Sequence, residues 1–246
     1  MRRIDWRVTA RRGTTDPRTG TQLYVRRTQA LAEAAVVLVV DSRDDVGADV
    51  RTWAGGSTGV GDELEPTSLD TARVAAATLA RAYLEQGDRV GLSDLGARRR
   101  PLPPGTGRRQ LRRLTHALAR SAPAGEPGRL LRAPQVPAGA LVAVCSTFLD
   151  DDAAEAAQLW AAAGHRVLAL DVLAPPRLGE LARTEVLAAR LVLAERSARL
   201  RRMARAGVAV VPWHPPLPAG VGDGGTPDVA AHARTRLAVL ARGGRS

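Results

Sequence analysis

The chain has 246 residues and carries 36 basic against 25 acidic side chains, which gives a formal net charge of +11. All the basic residues are arginines, and the lack of lysine excludes a P-loop phosphate site and Schiff-base chemistry, both of which need a primary amine. Aromatic residues make up only 3% of the chain, so we expect alanine, leucine and valine to fill the core of an α/β domain.

Residues 1–29 predict a short N-terminal β-hairpin. Two extended pieces, IDWRVTAR and LYVRR, flank the stretch GTTDPRTGT, whose Gly, Pro, Asp and Thr residues are typical of turns. We expect Trp6 to cover the core and Asp5 to pair with an arginine of the same element. The alternative is that Trp6 and Asp5 bind an upstream segment or a partner.

Residues 30–214 predict the main domain. The continuous apolar run AVVLVVD at 35–41 is typical of a strand that is buried on both faces, as in parallel sheets. Ser68 is the expected N-cap of a helix that ends at Gly87. Further strands are predicted at 88–96, 140–148, 165–173 and 207–213, and further helices at 107–119, 151–163 and 183–206. This alternation predicts a Rossmann-like, doubly wound and mainly parallel sheet with helices on both faces.

The remaining segments predict loops and a C-terminal addition. The Gly-rich stretch 51–67 lacks periodicity, and RRRPLPPGTG at 98–107 predicts a polar turn. Residues 215–246 predict a Pro/Gly linker and a last helix, at 228–242. No segment reaches the ~18 uninterrupted apolar residues that a membrane helix needs. The single cysteine, Cys145, lies in a predicted strand, so we expect a cytoplasmic chain without disulfides.

Several acidic and hydroxyl side chains fall at the ends of predicted strands. In open α/β sheets the functional crevice lies outside the carboxyl ends of the strands, where Asp41, Asp94, Thr147 and Asp171 are expected. Around Asp41 the sequence reads DSRDD, which suits a metal site, a phosphoryl acceptor or only the polar end of a buried strand. A phosphoryl acceptor is disfavoured, because Arg43 stands where the haloacid dehalogenase pattern has its second carboxylate.

A family resemblance rests on five pieces of sequence. RRIDWRVTARRG, LYVRR, QGDRVGLSDLG, PPGTGRRQLRRL and HRVLALDVL, in this order, resemble the bacterial domain-of-unknown-function family fifty-eight, which has a von Willebrand factor A-like fold. The resemblance extends from about Arg2 to Trp213. It implies a partner among the MoxR-type AAA+ ATPases, in a chaperone-like or assembly system. Members usually carry two transmembrane helices upstream of RRIDW, so we expect either a shortened form or a reduced member, tethered to the inner face of the plasma membrane only in a longer form.

The same resemblance implies a metal-ion-dependent adhesion site, and the sequence departs from its pattern. In the D-x-S-x-S loop Asp41 keeps the carboxylate, but Arg43 and Asp45 stand at the two hydroxyl positions. At the later strand end, where the pattern has a Ser-Asp pair, the chain has Ser146 and Thr147, so Thr147 replaces the carboxylate. A guanidinium can supply a fixed positive charge between carboxylates, so we expect a degenerate site without metal or other cofactor, in which Arg43 pairs with one or both of the carboxylates.

Two alternatives to the arginine clamp stay open. A hard cation such as Mg²⁺ could bind Asp41 and Asp45, with Asp44 or Asp49 close by. An ordinary solvated acidic loop with surface ion pairs is the other. The four histidines show no metal-ligand spacing.

The function that these residues predict is a non-catalytic protein-interaction domain. Its contact surface for a protein partner would be the strand-end crevice of Asp41, Arg43, Asp45, Ser146 and Thr147. The alternatives are a divalent-cation-dependent ligand binder and a basic nucleic-acid-binding protein. The last would use a surface of Arg98, Arg99, Arg100, Arg108, Arg109, Arg112 and Arg113. Because this surface lacks interleaved aromatic residues, we expect it to face solvent or a protein rather than nucleic acid.

Overall fold

A computed structural model describes residues 35–53, 65–96, 100–123, 133–179 and 181–213, together with short strand pairs near the N-terminus. The chain forms two compact units, Met1–Glu33 and Ala34–Ser246. In the first unit the strand pairs are antiparallel: β1 (Arg3–Ile4) with β4 (Val25–Arg26), and β2 (Thr15–Asp16) with β3 (Gly20–Thr21). The predicted roles of Asp5 and Trp6, and the helix predicted at 228–242, lie outside the described residues.

Six strands of the second unit form one sheet, in the order β10-β9-β8-β5-β6-β7. Five of them are parallel, and β7 runs antiparallel to β6. Their bounds are Ala35–Val40 (β5), Arg89–Asp94 (β6), Leu102–Gly105 (β7), Leu141–Ser146 (β8), Arg166–Asp171 (β9) and Ala209–Pro212 (β10). The predicted mainly parallel sheet is confirmed.

In the described part of the chain, four α-helices cover both faces of this sheet. They are Ser68–Glu85 (α1), Gly107–Ala119 (α2), Asp152–Ala162 (α3) and Arg183–Arg205 (α4), and a 3₁₀ helix, Val50–Trp53, follows β5. Within β5, Leu38 packs on the α1 and α2 side and Val39 on the α3 and α4 side. Both are fully buried, which explains why β5 is apolar without alternation. No helix in the described part of the chain has the length and apolar character needed to cross a membrane.

Two local predictions were wrong, each for a physical reason. The N-cap of α1 is Thr67, whose side chain accepts a hydrogen bond from the backbone N–H of Asp70 while Asp70 bonds back to Thr67. This capping box places the N-cap one residue before the predicted Ser68. The segment predicted as a polar turn contains the strand β7. Its prolines, Pro103 and Pro104, are tolerated because β7 is an edge strand.

The strand order fixes where a site can form. From β5 the chain passes to β6 on one side, whereas β8 pairs with β5 on the other. The order in which the chain adds strands therefore reverses between β5 and β8. The loop after β5 leads to α1 on one face of the sheet, and the loop after β8 leads to α3 on the other face. A crevice outside their carboxyl ends is the usual ligand position in such sheets.

Candidate functional site

The loops after β5 and β8 bring two of the predicted residues together. The backbone N–H of Asp41 bonds to the carbonyl of Cys145 at 3.0 Å. The hydroxyl of Ser146 donates to Asp41 Oδ2 at 2.8 Å. Both side chains are buried, so Asp41 is a carboxylate held inside the protein rather than on its surface. Cys145 is fully buried as well, and burial raises the pKa of its thiol to about 12.

Arg43 lies directly against Asp41. Its Nε donates to Asp41 Oδ1 at 2.9 Å and its Nη2 to Asp41 Oδ2 at 2.8 Å, a two-pronged pairing. On the other side, Nη2 donates to Asp150 Oδ1 at 3.0 Å, and Nη1 contacts Asp150 Oδ2 at 2.8 Å and Asp152 Oδ2 at 3.0 Å. Four of these five contacts are hydrogen bonds, and the fifth, between Nη1 and Asp150 Oδ2, is an ion-pair contact. We call Asp41, Arg43, Asp150 and Asp152 the Arg43 cluster.

The Arg43 cluster keeps its arginine charged. Only 3% of Arg43 is exposed. Burial opposes the charge, but hydrogen bonds and attraction to Asp41 and Asp150 outweigh it and raise the pKa of Arg43 above its ordinary value. Three carboxylates around one guanidinium leave a net charge of −2, and Asp150 is the most exposed of the three, with 44% of its side chain accessible. The cluster is thus a largely buried ion-pair network, and the carboxylate of Asp150 is its solvent-exposed part.

Asp150 and Asp152 are functional candidates that the sequence prediction missed. They belong to a run of three aspartates, DDD, at the start of α3. Acidic residues in a first helical turn have an ordinary explanation, because they favour the positive end of the helix dipole. The available signal was therefore ambiguous, and only the pairing of β5 with β8 shows that the two aspartates reach Arg43.

Of the two carboxylates that the sequence offered to Arg43, Asp41 is the one that pairs with it, and Asp45 has other partners. It does not pair with Arg43: its Oδ1 accepts a hydrogen bond from the backbone N–H of Leu69 at 3.0 Å and lies 3.4 Å from Ser68 Oγ. The first turn of a helix has backbone N–H groups without helical partners, and Asp45 satisfies one of those of α1. Asp45 therefore anchors the first turn of α1.

Thr147 and Asp44 form a second contact between the two loops. The hydroxyl of Thr147 donates to Asp44 Oδ2 at 3.2 Å. Burial, with repulsion from Asp41 and Asp150, raises the pKa of Asp44 to about 7. Thr147 is itself buried, so it holds the loops together and offers little surface to a partner.

Two arginines of α4 brace the loop that carries Asp150. Arg196 Nε donates to the carbonyl of Thr147 at 2.6 Å, and its Nη2 pairs with Asp171. Arg199 Nη1 donates to the carbonyl of Phe148 at 3.0 Å. Phe148 has a φ of 53°, a left-handed conformation that is costly for a residue with a side chain. The surrounding bonds hold this strained turn and so fix the position of Asp150.

The loop after β6 completes this edge of the sheet. Asp94 accepts hydrogen bonds from Ser42 Oγ at 2.5 Å, from the backbone N–H of Gly96 at 3.1 Å and from the hydroxyl of Ser121. A Cβ on Gly96 would lie 2.6 Å from Ser42 Oγ and 2.8 Å from the backbone N of Arg43. Only glycine permits this close approach, which ties the loop after β6 to the Arg43 cluster.

The described residues include no group of three or more His, Cys, Asp or Glu side chains arranged to hold a metal ion. Around Asp41, the guanidinium of Arg43 fills the space between the carboxylates. A divalent cation would have to displace that fixed charge to reach the same oxygens. As long as Arg43 stays in place, the arrangement suits an internal ion pair better than the metal site considered from the sequence.

The predicted basic surface is partly described. Arg98 and Arg99 lie outside the described residues, and Arg100 is exposed. The four other arginines lie on α2, whose sequence GRRQLRRLTHALA contains no acidic residue, and all four are exposed. The structure therefore places a continuous row of positive charge along one helix.

The comparison with known families covers most of the chain. Residues 1–206 match the family described as "Protein of unknown function DUF58". The match includes β1 to β9 and all four helices, and hence every residue of the Arg43 cluster. No curated protein is significantly similar to the chain.

Proposed function

Because the chain belongs to the family described as Protein of unknown function DUF58, we propose that it is a non-catalytic protein-interaction domain with a von Willebrand factor A-like fold and a degenerate metal-ion-dependent adhesion site. Its contact face lies at the carboxyl ends of β5 and β8. The partner that the family resemblance implies is a MoxR-type AAA+ ATPase, in a chaperone-like or assembly system. We place this interaction in the cytoplasm.

The observation that carries the proposal is the saturation of Arg43. In an adhesion site of this fold a divalent ion would bind the partner's carboxylate directly. Here all three guanidinium nitrogens are already engaged by Asp41, Asp150 and Asp152 through four hydrogen bonds and a further ion-pair contact. A cation so enclosed cannot capture an incoming carboxylate or transfer a proton. What it does is hold two loops rigid, which favours docking over reaction.

The charge of this face indicates the chemistry of the partner's contact. The Arg43 cluster has more carboxylates than cations, and the exposed edge of Asp150 is its accessible part. A basic side chain of the partner would complement this edge. Beside it, an apolar groove of about 530 Å³ is lined by Trp53, Leu149 and Val192 among others. An apolar groove with a polar rim is a common composition for a protein-binding surface.

The proposal is tested by measuring the affinity of the chain for the MoxR-type ATPase whose gene lies nearest to its own. In Asp150→Arg a positive charge replaces the exposed carboxylate, and like charges across an interface cost several kcal/mol. We expect binding at least about tenfold weaker. Glu85→Arg is the matched control. Glu85 is exposed at the C-terminal end of α1, shortly before β6 begins, and so lies toward the amino ends of the strands. Reversal of its charge should leave the affinity unchanged.

A second variant separates lost binding from lost folding. Asp150→Asn keeps the shape of the side chain, and its thermal unfolding is compared with that of the unsubstituted chain. If both Asp150 variants fold and bind the ATPase with unchanged affinity, this face is not the contact surface. If the chain does not bind the ATPase at all, the proposed partner is wrong.

A further inference from the structure

A separate cavity opens between β6, β7 and α2. Its volume is about 320 Å³, and its walls include Leu92, Leu102 and Leu118. This lies at the lower end of the range of small-molecule sites, roughly 300–1,000 Å³. The cavity therefore has room for one or two side chains rather than for an extended cofactor.

The rim of this cavity is cationic. Arg100, Arg120 and His116 line it and are exposed. Among the described residues, neither Arg100 nor Arg120 forms an ion pair, whereas Arg43 and Arg196 in the interior are both paired. Two unpaired guanidinium groups at the mouth of an apolar cavity favour a ligand with carboxylates next to an apolar group.

The floor of the cavity disfavours phosphate. Asp94 lines it, with its carboxylate fixed by Ser42, Ser121 and the backbone N–H of Gly96. A phosphate group carries up to two negative charges, and Asp94 would repel it if it entered. Apart from the imidazole of His116 at the rim, no aromatic ring lines the cavity, so a nucleic-acid base would find little stacking surface inside it. The anionic groups of a ligand must therefore stay at the rim while an apolar group enters.

The positive surface continues along α2. Arg108 and Arg109 lie in its first turn, where a positive charge opposes the helix dipole. Arg112 and Arg113 follow one turn later, and all four side chains are exposed. This row is unfavourable for the isolated helix and becomes favourable when an acidic chain lies along it.

We propose that the cavity and the arginine face of α2 bind an acidic segment of a protein partner. One apolar side chain of the segment enters the cavity, and the neighbouring aspartates or glutamates pair with Arg100, Arg120 and the arginines of α2. The surface differs in position and in charge from the face of the Arg43 cluster. Its occupation does not depend on the ATPase proposed above.

The test is an NMR titration of the ¹⁵N-labelled chain with an acetylated peptide, Glu-Asp-Glu-Leu-Asp-Glu, up to about 1 mM. We expect saturable shifts at Leu92, Leu102 and Leu118. A peptide with Gly for Leu should lose the shifts of the cavity residues, and a peptide with Gln and Asn for the acids should not bind. A single-stranded RNA hexamer and phosphatidylglycerol vesicles are the competing probes.

Variants of the chain sharpen the test. Ala122→Trp places a large side chain at an exposed position of the cavity lining and should weaken peptide binding about tenfold or more. Arg120→Gln should weaken it about two- to fivefold. Arg201→Gln removes the same charge from an exposed position of α4 and should have no effect. The amide spectrum of each variant shows whether it is folded.

Three outcomes overturn the proposal. The first is the absence of saturable shifts at the cavity with the acidic peptide. The second is equal weakening by Arg120→Gln and Arg201→Gln, which would mean attraction by net charge alone. The third is tighter binding of RNA or vesicles than of the peptide, with displacement of the peptide from α2, which would assign the surface to nucleic acid or to a membrane.

Discussion

Replacement of Arg43 by methionine tests the contribution of the Arg43 cluster to stability most directly. Methionine keeps much of the length of the side chain and removes all five N–H donors. Asp41, whose side chain is 2% exposed, then keeps only the hydroxyl of Ser146 and the backbone N–H of residue 43 as hydrogen-bond donors. The change leaves three carboxylates close together without a cation between them.

The expected cost follows from this burial. Removing one partner of a buried ion pair typically costs about 3–5 kcal/mol, because an uncompensated charge remains inside the protein. We expect Arg43→Met to lie in this range, since Asp150 and Asp152 also lose their contact with the guanidinium. The free energy of unfolding is measured by urea titration at pH 7, with the slope checked for two-state behaviour.

Two further variants test the reasoning. Arg43→Lys keeps the charge but loses the two-pronged geometry, so its loss of stability should be intermediate. In the double variant Asp41→Asn/Arg43→Met the buried charge is removed with its partner, and stability should return in part. A loss below about 1 kcal/mol for Arg43→Met, or no recovery in the double variant, would refute the buried-pair argument.

Three other predictions concern the same edge of the sheet. The pKa of Asp44 is about 7 in the folded chain against 3.8 ordinarily. Because the folded state holds this proton more tightly, the free energy of unfolding should fall as pH rises from about 4 to 7. Asp44→Asn should remove this fall and stabilise the chain at pH 8 by about 4 kcal/mol at most. A flat pH profile of the unsubstituted chain in urea titrations would contradict this. Gly96→Ala should cost about 1–3 kcal/mol, because its Cβ would lie 2.6 Å from Ser42 Oγ; thermal unfolding checks it against Gly179→Ala, where a Cβ meets nothing within 4 Å. Isothermal titration with Mg²⁺, Mn²⁺ and Ca²⁺ should show no saturable binding, and saturable binding abolished by Asp41→Ala would restore the metal hypothesis.

Local features were predictable from the sequence because their causes are local. The run from Val36 to Val40 is apolar on both faces, and it forms the buried parallel strand that this pattern predicts. Arg43 is two residues from Asp41, a distance over which a loop can fold back on itself, and the pairing is present. Both features depend on one short segment of chain.

The features that the sequence analysis did not predict depend on segments that are far apart in the chain. Asp150 meets Arg43 across 107 residues, and this contact requires the pairing of β8 with β5, which spacing alone does not give. Asp45 has two possible partners at the sequence level, and the N-terminus of α1 takes it. The strand β7 was missed because its prolines resemble a turn until the edge position in the sheet is known.

The prolines of β7 have a consequence for self-association. An exposed strand edge normally invites a second chain to extend the sheet by backbone hydrogen bonding. Pro103 and Pro104 have no N–H to donate, and because successive backbone groups of a strand point to opposite sides, one of these two missing donors would face a strand that arrives beside β7. This edge of the sheet is therefore a poorer template for strand pairing with a second copy of the chain than an edge strand without proline.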